Sequence, residues 1–525
     1  MNNINILDCT LRDGGYCNEW HFGLDNARKI VKGLSDSGIE IVELGFLTNK
    51  IKYNPDFTKF NDITQAESLL PCIKTCKIYA LMINYGEYNS EDLPEYKNGM
   101  IDGLRVAFHK KNIDEALNFC GEIKSKGYKL FIQAMVSLNY SDLEFIRLIN
   151  DVNKIKPYAF YIVDSFGTMN SKDLTRLFSL VENNLAHEII IGFHSHNNLQ
   201  LAYSNAQKLI TMQSRRDLII DSSVYGMGRG AGNLTTELFV DYLNHNAGKN
   251  YLLSPLLGII DEILDGFYQR KHWGYSLPNY LSAVHGAHPN YAIYLADKNT
   301  LTVKEMNEIF DSLDPAKKIS YDKNYIEQVY LRYMSINKSN SINKSRLNEI
   351  LSGKKILLIA PGKSSFTERD KIMKFAGSLD CVIISVNFEY KYLYSDFIFL
   401  SNLRRLRELD PEKISKCIIT SNINLEGAYL KADYQDLIFT IDSVRDNAGL
   451  MAVRFLIAHG VKEIYLAGFD GYSHDSGENY GDEKMIFSAG NEILDSQNRG
   501  MIKILHELSR QVSIKFLTTP RHVKI

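Results

Sequence analysis

Residues 4–15, INILDCTLRDGG, run from an apolar segment into a polar turn that ends in glycines. Such a sequence is typical of a β-strand followed by a loop that carries functional side chains. A second stretch of this kind, residues 189–198 (IIIGFHSHNN), contains His194 and His196. Because residues two apart on a strand project to the same face, the two imidazoles can bind one ion together. Asp13 would complete a site of two histidines and one carboxylate.

Each motif alone also has an ordinary structural explanation. A His-x-His pair often consists of half-buried strand residues, and Arg-Asp-Gly is a common turn after a strand. Short motifs therefore need support from the pattern that surrounds them.

The surrounding pattern predicts an α/β fold. Helical stretches such as 24–37 and 112–126 separate eight apolar segments, and the predicted strands end near Asp8, Gly45, Ile83, Ala107, Val136, Asp164, His194 and Ser223. Eight strand–helix units in about 240 residues are the count and length of a (β/α)8 TIM barrel. An open doubly wound sheet would also alternate strands and helices, but it need not bring strands one and seven to a common rim.

Length and composition limit the class of protein. The 525 residues exceed what one hydrophobic core usually supports, so we expect two domains. With a formal net charge of -2, the chain lacks the strongly basic character typical of nucleic-acid-binding proteins. No apolar run reaches membrane-spanning length. The N-terminus lacks the pattern of a signal peptide, so we expect a cytoplasmic protein. Seven cysteines without paired Cys-x-x-Cys spacing indicate reduced thiols.

The chain divides into four predicted segments. The barrel takes residues 1–247 and a helical extension takes 248–334, which could cover the barrel mouth or pack on its flank. The sequence Ser-Ile-Asn-Lys-Ser occurs at 335–339 and again at 341–345, which predicts a linker over 335–349. Residues 350–525 form a Rossmann-like α/β domain, with strands predicted at 381–386, 396–400, 417–420 and 463–467.

Six motifs occur in the order known from the DRE-TIM metallolyases: residues 10–14, 39–45, 104–107, 163–167, 192–199 and 226–233. Residues 4–300 resemble this superfamily, and within it most of all the 4-hydroxy-2-oxovalerate aldolases. The resemblance implies a pyruvate-handling barrel with a divalent cation on Asp13, His194 and His196. Asn233 matches a further ligand position that only parts of the superfamily use. Mn²⁺ or Mg²⁺ suits such a site, and Zn²⁺ is the alternative.

The implied reaction joins pyruvate, or another 2-oxo acid, to an aldehyde. Arg12 offers a permanent cation for the enolate oxygen. The related aldolases use a histidine as acid and base just after the Arg-Asp-Gly motif, whereas this chain has Tyr16 there. A free tyrosine is a poor base at neutral pH. His288, Tyr291 or water at the metal could take that role, so the base is left unassigned.

Further side chains at predicted strand ends are candidates for substrate binding or for a structural ion-pair network at the rim. They are Glu43, Arg105, His109, Asp164 and Ser165.

The second domain begins with an apolar strand and a Gly-Lys-Ser-Ser turn at 362–365, which suggests a phosphate-facing loop without Walker spacing. Its later segment, residues 460–472, resembles bacterial family-42 sialyltransferases and related flagellin-glycosylation proteins. The resemblance implies a nucleotide or nucleotide-sugar site, and a degenerate binding domain without catalysis is equally open. The candidate residues are Gly362, Ser364, Asn387 and Asp470.

Three functions therefore compete. The first is a pyruvate aldolase that serves the synthesis of a surface polysaccharide. The second is an acyl-CoA-dependent Claisen synthase, and the third is a non-catalytic scaffold that binds a sugar or nucleotide. The sequence leaves the aldehyde, the direction of the reaction and any homo-oligomer open.

Overall fold

The computed structural model describes residues 3–523 except 72, 299, 336–342, 379, 407–408, 483–484 and 486–488. The chain splits into two compact units. The first comprises residues 1–293 and 314–321, and the second comprises residues 294–313 and 322–525. The central part of the predicted linker, residues 336–342, lies outside the described residues. The predicted domain bounds therefore remain a prediction.

Eight parallel strands close into a barrel in the first unit, which confirms the TIM barrel. They are β1 Ile4–Asp8, β2 Ile41–Leu47, β3 Ile78–Asn84, β4 Ile101–Phe108, β5 Lys129–Ala134, β6 Ala159–Asp164, β7 Ile190–Ser195 and β8 Leu218–Ser222. Strand β1 pairs with both β8 and β2, with Ile6 opposite Ile220 and Leu7 opposite Ile41. A two-residue strand, Lys59–Phe60, also pairs with β2. The strands are apolar on both faces because a parallel sheet is covered on both sides.

Helices and short turns connect these strands. They are Gly15–Asn18, Leu24–Ser37, Ile63–Glu67, Ile113–Ser125, Asp142–Ile155, Ser171–Asn184, Ala202–Thr211 and Thr236–Asn246. Leu24–Ser37 ends at Gly38, whose φ of 91° is the left-handed conformation that glycine adopts without strain. Asp142–Ile155 begins with a capping box between Ser141 and Glu144. Each β-strand thus delivers its following loop to one rim of the barrel.

The predicted extension is helical. Its helices are Leu253–Ile259, the π-helical Ile260–Leu264, Asp265–Arg270, Leu277–Val284, Pro289–Asp297, Val303–Asp311 and Lys323–Met334. Residues up to 293 belong to the first unit, whereas Val303–Asp311 and Lys323–Met334 belong to the second.

The second unit contains a separate parallel sheet, which confirms the Rossmann-like prediction. Its strands are β9 Lys355–Ile359, β10 Cys381–Val386, β11 Phe397–Leu400, β12 Cys417–Thr420, β13 Leu430–Ala432, β14 Glu463–Ala467 and β15 Ser513–Phe516. Their spatial order is β13-β12-β11-β10-β9-β14-β15, so the order reverses between β9 and β14. The helices are Lys344–Leu351, Ser364–Thr367, Arg369–Ser378, Leu403–Leu406, Tyr434–Leu437, Ala448–Ala458 and Asn491–Ser509.

Within the described part of the chain, no helix combines the length and the apolar character needed to cross a membrane. The six cysteines that the structure describes are free, and Cys72 lies outside the described residues.

Candidate active site and metal centre

The ends of β1 and β7 bring Asp13, His194 and His196 into one buried cluster. One ligand atom from each residue lies within 4.8 Å of the others. The Nδ1 atom of His196 lies 3.8 Å from Oδ2 of Asp13, and no hydrogen-bond partner for it is found among the described residues. A buried polar atom without a partner costs free energy. The donor set and this free nitrogen fit a divalent cation.

Asn233 is oriented toward the same cluster. Its Nδ2 donates to Oδ2 of Asp13 at 2.8 Å and to the carbonyl of Met227 at 3.2 Å. Its buried Oδ1 has no partner in the described residues, so this oxygen remains available as a further ligand. Gly228 makes room for the arrangement, because a Cβ there would lie 2.3 Å from Nδ2 of Asn233.

Asp221 near the end of β8 holds His194 in place. Its Oδ2 lies 3.0 Å from Nδ1 of His194, which leaves Nε2 of that ring for a metal. Asp221 was not among the site residues predicted from the sequence. The available signal was a carboxylate near the end of the otherwise apolar segment 218–221.

A buried charge network, which we define as Arg12, Asp13, Glu43, Arg105 and Asp221, underlies the cluster. Oε2 of Glu43 lies 2.8 Å from Nε of Arg12 and 2.8 Å from Nη1 of Arg105. Arg105 also pairs with Asp221, and Nη1 of Arg12 lies 2.5 Å from Oδ1 of Asp13. Glu43 and Arg105, predicted to bind substrate, are fully buried within this network.

The network fixes the charges of Arg12 and Asp13. Burial alone would lower the pKa of Arg12, but the carboxylates of Glu43 and Asp13 outweigh it and raise that pKa. Burial alone would raise the pKa of Asp13, but the Arg12 guanidinium and the nearby imidazoles hold it below its usual value. Arg12 is therefore a permanent cation beside an ionised metal ligand.

A cavity of about 240 Å³, here called the rim pocket, lies at the same barrel rim. Its wall includes Tyr16, His109, Ser165, Arg229 and His288. Burial raises the pKa of Tyr16, against the opposing effect of Arg229, so its hydroxyl stays protonated at neutral pH. Burial, assisted by Arg229 and His109, lowers the pKa of His288 to about 3. The imidazole of His288 is therefore neutral.

Two other predicted residues are not on this wall. The Tyr291 hydroxyl lies 2.9 Å from the carbonyl oxygens of both Lys317 and Ser320. The Asp164 carboxylate accepts the backbone N–H groups of Thr168 and Met169 at 2.9 and 3.1 Å. The contacts of Asp164 fix the loop after β6.

The second unit has its own cavity, of about 170 Å³, at the carboxyl ends of β9, β10, β11 and β14. Gly362, Asn387 and Asp470 lie on its wall, whereas Ser364 does not. The backbone N–H of Ser364 instead donates to Oδ2 of Asp470 at 2.7 Å. The buried Oδ1 of Asp470 has no hydrogen-bond partner in the part of the chain that the structure describes.

Comparison with known proteins relates the first unit to carbon–carbon lyases. The family described as HMGL-like matches residues 107–256. The 4-hydroxy-2-oxovalerate aldolase of Geobacillus genomosp. 3 is 29% identical over 246 residues, which cover 46% of this chain and 70% of that protein. The enzyme of the same name from Thermomicrobium roseum is 28% identical over 271 residues, covering 48% and 73%. The solved N-terminal domain of a proposed aldolase from Bacteroides vulgatus is 28% identical with a TM-score of 0.50, and the match covers 59% of this chain and 100% of that one.

Proposed function

We propose that the barrel of this chain belongs to the DRE-TIM metallolyase superfamily and is a metal-dependent carbon–carbon lyase of the pyruvate aldolase type. The proposed reaction forms or cleaves a 4-hydroxy-2-oxo acid in the synthesis of a surface-polysaccharide building block. The observation that carries it is the permanent cation of Arg12 beside the buried cluster of Asp13, His194 and His196. We place the enzyme in the cytosol, with Mn²⁺ or Mg²⁺ as its metal and Zn²⁺ as the alternative.

Asp13, His194 and His196, with Asn233 as a further donor, would hold the cation. Such a cation polarises a ketone and makes the neighbouring carbon more acidic. Arg12 adds a fixed positive charge for the enolate oxygen that forms when pyruvate loses a methyl proton. The pKa of Arg12 is raised, so this charge persists throughout the reaction.

The carbon–carbon step then follows from the enolate. Its methylene carbon attacks the aldehyde carbon, one carbon–carbon bond forms, and the aldehyde oxygen takes up a proton. Tyr16 keeps its proton at neutral pH and therefore suits the role of donor to this oxygen better than that of base. In the reverse direction the 4-hydroxyl loses its proton, the same carbon–carbon bond breaks, the aldehyde leaves, and the enolate carbon takes up a proton to give pyruvate.

Exchange of deuterium into the methyl group of pyruvate tests the proposal without knowledge of the aldehyde. We expect a chelator to abolish exchange and Mn²⁺, Mg²⁺ or Zn²⁺ to restore it. His194→Ala should lose exchange, whereas His245→Ala, on an exposed helix face, should keep it. Unchanged exchange by the metal-free protein would reject the function. Metal-dependent release of CoA from an acyl-CoA and a 2-oxo acid would favour the Claisen synthase instead.

We also propose that the cavity of the second unit binds a nucleotide or nucleotide sugar. Support comes from its position where the strand order reverses, the usual ligand site of open α/β sheets. Gly362 allows a close approach, since a Cβ there would lie 2.2 Å from the carbonyl of Gly468. Calorimetric titration of the full chain with cytidine and uridine nucleotides tests this site. We expect binding that Asp470→Asn weakens, and no binding by any of these nucleotides would contradict the proposal.

A further inference from the structure

Arg229 presents an unneutralised cation at the rim pocket. Its Nη2 donates only to a backbone carbonyl, that of Ser165, at 3.0 Å. Its Nε is buried and lacks an acceptor in the part of the chain that the structure describes. No carboxylate of the described residues forms an ion pair with its guanidinium. Its Nη1 is not buried and makes no hydrogen bond to the described residues, so it is the donor that a group entering the pocket can reach.

Tyr16 positions this guanidinium. The Cζ atom of Arg229 lies 5.5 Å from the centre of the Tyr16 ring, within the range of a cation–π contact. The backbone N–H of Arg229 points to Oδ2 of Asp13 at 3.3 Å, so the residue is anchored next to the metal cluster. The guanidinium is therefore held in place without a direct ion pair to any carboxylate of the described residues.

Among the described residues, the wall of the rim pocket carries one cation, Arg229, and one carboxylate, Glu87. His109 and His288 also line the rim pocket. Partial loss of solvation, Lys111 and Arg229 lower the pKa of His109, and burial and Arg229 lower that of His288, so both imidazoles are neutral. The carboxylate on the wall, Glu87, lies 3.3 Å from the amide nitrogen of Asn84 and 3.4 Å from the hydroxyl of Thr48. Arg229 is thus the one guanidinium or ammonium group among the described residues of this wall.

Resting on the proposed aldolase function, we propose that Arg229 binds an anionic group, a carboxylate or a phosphate, on the aldehyde substrate. The oxygen of the pyruvate enolate is matched by Arg12, which leaves Arg229 for the second substrate. A guanidinium presents parallel N–H groups that fit either oxyanion in two-point contact. The enzyme therefore selects aldehydes with a charged far end over short neutral ones.

The test compares kcat/KM for matched aldehydes, using the full-length metal-loaded protein and pyruvate. Succinic semialdehyde is paired with butanal, and glyceraldehyde 3-phosphate with glyceraldehyde, so the two arms separate carboxylate from phosphate. We expect at least one anionic aldehyde to be preferred by about tenfold to hundredfold. Arg229→Gln should remove most of this preference, mainly through KM, and Arg229→Lys should keep part of it. Each aldol rate is divided by the pyruvate exchange rate of the same variant.

Matched variants distinguish direct binding of the anionic group by Arg229 from a general effect of positive charge near the pocket. Lys111→Gln removes an exposed cation near His109 that is not on the pocket wall, so it should keep the preference. Tyr16→Phe loses the proposed proton donor and should lower kcat for every aldehyde, but it retains the ring and should keep the ratio of kcat/KM between charged and neutral aldehydes. Tyr16→Leu should lower that ratio as well. Equal kcat/KM for charged and neutral aldehydes would overturn the proposal, as would an equal loss in Lys111→Gln and Arg229→Gln.

Titration with succinate and with inorganic phosphate examines the anion site without turnover. If either anion binds and Arg229→Gln abolishes that binding, the anion site is supported. If the wild-type protein then fails to exchange pyruvate, only the aldolase function is rejected. Exchange without any anion binding would overturn the role of Arg229 and leave the aldolase in place.

Discussion

At the scale of single residues, the proposed metal site depends on a side chain outside the three candidate ligands. Asp221 lies 3.0 Å from the ring of His194 and also pairs with Arg105. Such partners orient the ligand and increase its basicity. The same carboxylate compensates the fully buried charge of Arg105.

Asp221→Asn should therefore weaken metal binding by about tenfold to hundredfold. The amide keeps an acceptor for His194, but it removes the negative charge that both Arg105 and the ligand require. Metal titration of stripped protein measures the effect. Asp217→Asn, just before the other end of the same strand, is the control and should bind metal normally. Equal affinity in wild type and Asp221→Asn would contradict this role.

Asp8 makes stability depend on pH. It accepts from the backbone N–H of Thr10 and from the hydroxyl of Thr236, and burial raises its pKa from 3.8 to about 6. The folded state thus favours the protonated acid. This stabilisation is complete below about pH 4 and is lost as the pH rises through 6.

Asp8→Asn stays neutral and can keep both contacts, because the Thr236 hydroxyl can accept as well as donate. Relative to wild type, its free energy of unfolding should rise by roughly 2 kcal/mol between pH 4 and pH 7. Urea unfolding at several pH values measures this difference. A difference that stays constant with pH would show that the Asp8 carboxyl does not titrate there.

At the scale of elements, the sequence predicted helices and strands of both units because their signals are local. Helix Leu24–Ser37 and strands Cys381–Val386, Cys417–Thr420 and Glu463–Ala467 match the predicted bounds. Their apolar periodicity is visible within a few residues, and Gly23 and Gly38 mark both ends of the helix. The cluster of Asp13, His194 and His196 could be predicted because a barrel brings strand ends to one rim.

The buried charge network could not be predicted in the same way. It joins Glu43 on β2, Arg105 on β4 and Asp221 on β8, and their contacts depend on which side chains meet inside the closed barrel. Strand spacing alone does not contain this information. Likewise, the contact of Arg229 with Tyr16 joins the loop after β8 to the short helix Gly15–Asn18, far apart in the sequence.

The loop after β8 offers an element-scale prediction. A Cβ on Gly228 would lie 2.3 Å from Nδ2 of Asn233 and 2.7 Å from Oδ2 of Asp13. Gly228→Ala should therefore displace Asn233 and reduce metal affinity and pyruvate exchange at least tenfold. Gly121→Ala, in helix Ile113–Ser125 with open space around its Cβ, should keep both and stabilise the fold by up to about 1 kcal/mol. Normal metal affinity in Gly228→Ala would contradict the assigned position of Asn233.

At the scale of the whole molecule, the helices before the predicted linker belong to the second unit. The Tyr330 hydroxyl lies 2.5 Å from Oδ2 of Asp446, and Glu327 pairs with Arg445 at 2.8 Å. Tyr330 is fully buried. A cut at 335–345 would therefore remove part of the core of that unit.

We expect the fragment 294–525 to unfold cooperatively and the fragment 346–525 to be markedly less stable. Removing Tyr330 alone would leave a cavity, and large aromatic-to-alanine changes in cores cost about 3–5 kcal/mol. Thermal unfolding of both fragments, with Tyr330→Ala in 294–525 as the intermediate case, measures this difference. Equal melting temperatures would show that the second unit is complete from residue 346 onward.

The buried charge network also constrains how this enzyme can evolve. Guanidinium and carboxylate alternate along it, so each single replacement would leave a neighbour charged, buried and unmatched. Breaking a buried pair in this way costs about 3–5 kcal/mol, a large share of the stability of an ordinary domain. Single substitutions in this network are therefore strongly destabilising. Descendants that differ at Glu43 should also differ at Arg12 or Arg105. New substrates are more readily acquired through Arg229 and Tyr16, which form no ion pair with the carboxylates of this network.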